Sequence, residues 1–122
     1  MNEIKHDFGV FLKENGFSYE SIPDGNIFIY KISEYKIPSG RYAGKVVGIG
    51  IPMPPDFPAV APYGLHVKSN GVFTEPIAAG DKQSILGADW KFWSRSVNNW
   101  NDPQNHNCQY YFDHVNRWLE VS

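Results

Sequence analysis

Cys108 is the only cysteine of the chain, and His106 and His114 stand on either side of it. A cysteine attacks as its thiolate, a form favoured by a helix N-terminus or a neighbouring imidazole. If a helix begins at Cys108, both aids are near, with His106 or His114 as base. The competing reading is a small apolar residue buried at the helix start against the sheet, the commoner fate of a lone cysteine. Asp102, His106, Cys108 and His114 also include metal-ligand types. His-x-Cys with a His six residues later is not a zinc spacing, however, and a second cysteine is missing. Neither a metal nor another cofactor is expected. Gly48-Ile49-Gly50 lies in an apolar run with no helix after it, which does not make a phosphate-binding loop. His66 lies between Leu65 and Val67, so strand alternation puts its imidazole on the opposite face from both. There it faces either a site, or solvent or a satisfying partner.

These residues need elements to position them. Ile4, Phe8, Phe11 and Leu12 recur at helical spacing, which predicts an amphipathic helix over 3–15 ending at Gly16. Phe17–Ile22, Ile27–Ile32, Lys45–Ile51 and Gly64–Lys68 read as strands, and Pro23-Asp24-Gly25-Asn26 and Ser69-Asn70-Gly71 as turns. The short turns between strands favour an antiparallel meander over parallel crossovers. Pro52, Pro54, Pro55, Pro58 and Pro62 require an extended loop between the third and fourth strands. Residues 72–107 show no sustained period, and Phe73, Trp90, Phe92, Trp93 and Trp100 are available to pin that stretch to the body. Tyr111, Phe112, Val115, Trp118 and Leu119 form the apolar stripe of a last helix, about Cys108 to Val121, capped by Asn105 or Asn107. The predicted fold is α+β: a four-stranded antiparallel meander with an N-terminal and a C-terminal helix, all one domain over 1–122.

Composition narrows the function. The 122 residues are 42% hydrophobic and 20% charged, enough for one core without disulfides or a structural metal. A net charge of −2, with no Lys/Arg run, leaves no footprint for nucleic acid. No apolar stretch approaches the ~20 residues that span a bilayer, and Met1-Asn2-Glu3-Ile4-Lys5 lacks the layout of a signal peptide. With a lone cysteine, these features make a reducing cytoplasm the expected compartment.

The element order, and Phe57-Pro58-Ala59-Val60-Ala61-Pro62 preceded by Met53-Pro54-Pro55-Asp56, resemble ubiquitin-conjugating (E2) enzymes. Those enzymes carry a YPxxPP-type motif at this place. The run Trp90-Lys91-Phe92-Trp93-Ser94-Arg95, with Trp100 and the Tyr111–Leu119 helix, is similar to the bacterial group called prokaryotic E2 family E. The resemblance implies the UBC fold, a ubiquitin-like modifier and an E1-like activating enzyme as partners. It also implies transfer of the modifier's C-terminal carboxyl through a thioester. The chain departs from the family pattern at the site. It has no His-Pro-Asn triplet, and Asn70 in Ser69-Asn70-Gly71 is the nearest substitute. The family cysteine lies about eight or nine residues before a Trp-Ser pair, and that count back from Trp93-Ser94 reaches Ser84-Ile85.

Ser84 is therefore the candidate nucleophile by position, although no His adjoins it in sequence and a hydroxyl needs a base. The bland reading is an ordinary loop serine. The resemblance places Cys108 outside the usual site, in a structural role. His66, Asn70, Ser94, Arg95 and Asn98 are the candidate binding residues, for a modifier tail or for orienting an acyl group. Arg95 alternatively pairs with a carboxylate or carbonyl that fixes its own segment. Two functions follow: an E2-like protein that handles a modifier together with an E1-like enzyme, or a non-catalytic E2-fold adaptor, E2-variant or RWD-like, that binds a modifier or partner protein.

Overall fold

The computed structural model describes residues 8–57, 59–72, 81–94 and 96–120. Helix α1 spans Phe8–Glu14, and the rest of the helix expected from residue 3 lies outside the described residues. Its end is set by Gly16, which takes φ +84°. There Phe17 N–H reaches Leu12 O at 2.9 Å and Gly16 N–H reaches Lys13 O at 3.1 Å. This paired arrangement satisfies the last carbonyls of a helix and needs a left-handed residue at its turn.

Six strands follow: β1 Glu20–Asp24, β2 Ile27–Lys36, β3 Val46–Met53, β4 Gly64–Lys68, β5 Asp81–Gln83 and β6 Trp90–Ser94. They form one antiparallel sheet in the order β1-β2-β3-β4-β6-β5. Among the described residues the sheet thus has six strands rather than the four expected. The two extra strands make a hairpin inside the 72–107 stretch, and β6, not β5, pairs with β4. Trp90, Lys91, Phe92 and Trp93 carry bulky side chains on both faces of β6, so no polar alternation marks the strand. The first strand begins at Glu20 rather than at Phe17.

Helix α2, Cys108–Glu120, packs its stripe against one face of the sheet. Asn107 is its cap: Asn107 Oδ1 accepts the Tyr110 N–H at 2.8 Å. Phe8, Leu12, Ile32, Val47, Ile49, Ile51, Leu65, Val67, Trp93, Tyr111, Val115 and Leu119 are all at most 2% exposed and form one core on this helix side. Tyr111 Oη donates to Gly64 O at 3.3 Å, and Tyr35 Oη donates to Asn116 Oδ1, tying α2 to β4 and β2. Burial pushes the Tyr35 hydroxyl up to about 12. The proline loop is held from both sides: Phe57 sits 6.2 Å from the Phe8 ring and 5.8 Å from Trp100.

The opposite face of the sheet is shaped by two glycines of β3. A Cβ at Gly48 would lie 2.8 Å from Trp90 Cη2, and one at Gly50 2.8 Å from Leu86 Cδ1. Glycine at these places lets the β5–β6 hairpin lay Trp90 and Leu86 directly on the central strand. The register agrees: β4 pairs His66 with Gly50 on one side and with Phe92 on the other. No helix among the described residues is long and apolar enough to cross a membrane.

Candidate functional site

The β5–β6 turn is braced from within. Ser84 N–H donates to Trp90 O at 3.3 Å and Trp90 N–H to Gly87 O at 3.1 Å. Gln83 Nε2 donates to Gly87 O at 2.7 Å. Gly87 takes φ +148°. These bonds fold residues 84–89 back over the outer sheet face and set Ser84 beside β4.

There Ser84 meets His66. Ser84 Oγ and His66 Nδ1 are 2.7 Å apart, and Oγ also accepts the Leu86 N–H at 3.0 Å. The two residues are 18 apart in sequence, and both are buried, His66 at 6% and Ser84 at 5% exposed. Strand alternation puts His66 on the face away from Leu65 and Val67, which join the core on the helix side. Its ring lies 4.8 Å from the ring of Phe92. Burial lowers the His66 pKa to about 4, an effect that the charge of Asp24 opposes. The imidazole is therefore neutral at pH 7, with one nitrogen open to accept a proton. A serine hydroxyl on a neutral imidazole at this distance has the geometry that a nucleophile and its base require, and the lowered pKa makes that imidazole a weak base. The imidazole beside Ser84, which no neighbour in sequence supplies, comes from β4. The glycines of β3 and the position of His66 between Leu65 and Val67 in β4 were its signals.

The other described candidates stand on other elements or turns. Cys108 is 3% exposed, opens α2 and belongs to the core on the helix side. His106 Nε2 is 2.6 Å from Trp100 O, and His114 Nδ1 is 3.1 Å from Tyr110 O. Asp102 Oδ1 accepts the Gln104 N–H at 3.0 Å. Among the described residues no group of three or more His, Cys, Asp or Glu side chains is placed to hold a metal. Asn70 takes φ +52° in the turn after β4, and its Nδ2 donates to Val46 O at 3.4 Å. Ser94 is exposed at the end of β6. Asn98 accepts the Tyr110 hydroxyl on its backbone oxygen at 2.7 Å. It lines a cleft of about 320 Å³ with Asn99, Tyr110, Asp113, His114 and Arg117. Arg95, Phe73 and Pro58 lie outside the described residues. Trp90 and Trp93, read together as pins, are 5% and 2% exposed and face opposite sides of the sheet.

A family model described as Prokaryotic E2 family E matches residues 5–122. No curated protein and no solved structure matches the chain.

Proposed function

The chain belongs to prokaryotic E2 family E, and from that premise we propose that it has the UBC fold and works as the E2-like component of a bacterial, cytoplasmic ubiquitin-like modification system. In this reading it receives the C-terminal carboxyl of a ubiquitin-like modifier from an E1-like activating enzyme and passes it on. The observation that carries the reading is the buried His66–Ser84 pair. Ser84 is the residue reached by counting back from Trp93-Ser94, and the His66 imidazole, 2.7 Å from its hydroxyl, supports reading it as the base that a hydroxyl needs. The antiparallel sheet with a helix at each end of the described chain and a proline loop after β3 accords with the same family.

The adaptor reading has one observation in its favour: the single thiol, on Cys108, is sealed in the core. In that reading the chain binds a modifier or partner protein and forms no acyl intermediate. Isothermal titration calorimetry against a bacterial ubiquitin-like modifier and an E1-like enzyme tests the shared part of both. Binding to either supports a role in such a system, and binding to neither, by folded protein, removes it.

A further inference from the structure

We propose that Ser84 is an acyl acceptor activated by His66, and that it holds the modifier's carboxyl as an oxyester. The inference rests on the carrier reading above and names the atom that does the carrying.

A hydroxyl and an imidazole placed among Ile29, Leu86, Trp90 and Phe92 cost free energy unless each finds a partner. They find each other at 2.7 Å, inside the range in which a base takes a proton from a nucleophile. The turn is built around the oxygen: the Leu86 N–H points at Oγ from 3.0 Å and steadies negative charge as the proton leaves. Gln83, bonded to Gly87 O, keeps that amide in place. Cys108 is in the core on the helix side, so it does not compete for a substrate arriving on this face. The way in runs past Leu86, which rests half-buried over Gly50 beside His66, while Ile85 on the same turn is 60% exposed.

The step balances without a co-reactant beyond the thioester donor. Oγ attacks the thioester carbonyl carbon; the Oγ–C bond forms and the C–S bond breaks. The hydroxyl proton passes to His66 Nδ1 and from there to the departing thiolate. No atom changes oxidation state.

A fluorophosphonate probe tests the pair without any modifier. Its phosphorus is attacked by an activated serine oxygen, and fluoride leaves. Peptide mass spectrometry is expected to find the label on Ser84 in the wild type and none there in Ser84→Ala. In His66→Gln, labelling of Ser84 should be slower by about 100-fold, the usual share of a general base. Leu86→Ala, which opens the approach, should label faster than wild type. The absence of label on Ser84 in both wild type and Leu86→Ala, each folded by circular dichroism, overturns the proposal. So does an unchanged labelling rate in His66→Gln. Label on Ser84 in a protein that binds neither modifier nor E1 supports the activated serine and removes only the carrier reading.

Discussion

Acid should unfold this protein partly through His66. In the unfolded chain its imidazole titrates near 6.5, whereas in the folded protein burial holds it at about 4. Above pH 6.5 both states are neutral and His66 adds no pH dependence. As the pH falls from 6.5 towards 4, the unfolded chain binds a proton that the folded one refuses, so stability drops across that window and levels below it. Each unit of difference corresponds to about 1.4 kcal/mol. Discounted for the water that reaches the edge of the β5–β6 turn, the loss should be on the order of 2 kcal/mol. Asp24 works against the loss, so Asp24→Asn should deepen it. Urea denaturation at pH 7 and pH 4.5, for wild type and His66→Gln, measures it. Carboxylates titrate in both proteins, so the difference between their two pH-induced losses isolates the imidazole. If His66→Gln loses as much stability as wild type, the buried neutral imidazole is refuted.

The packing predictions can be read in the same urea experiments at pH 7. Trp118 is 8% exposed and its ring lies 6.2 Å from that of Tyr111, so Trp118→Ala should cost about 3–5 kcal/mol. A loss near zero would mean that the α2 stripe is not part of the core. Removing the cap with Asn107→Ala should cost about 1 kcal/mol, and Asn107→Ser should recover most of it. Gly16→Ala should cost about 1 kcal/mol through the left-handed backbone alone, because a Cβ there touches nothing.

What the sequence made legible was local. The α2 stripe from Tyr111 to Leu119, the stop at Gly16, the turn at Gly25 and the proline loop all follow from residues a few places apart. His66 could be assigned a face because Leu65 and Val67 flank it, and that face is where it lies. The hairpin of β5 and β6 escaped because β5 has three residues and β6 is aromatic on both faces. The His66–Ser84 contact escaped with it. It spans 18 residues and exists only because the hairpin folds back over β4, a move for which Gly48 and Gly50 clear the floor. In sequence those glycines look like weak points in a strand; in the fold they are the space into which Trp90 and Leu86 fit.

Adduct chemistry distinguishes a carboxyl carried on Ser84 from one carried on Cys108. The direct measurement mixes the protein with its modifier, the E1-like enzyme and ATP, and follows adducts on a denaturing gel for wild type, Ser84→Ala and Cys108→Ala. An oxyester survives thiol reductant and is cleaved by mild base, whereas a thioester is lost to reductant. Carriage on Ser84 predicts an adduct in wild type and Cys108→Ala that resists reductant and yields to base, and none in Ser84→Ala. A reductant-sensitive adduct that disappears only in Cys108→Ala would contradict it.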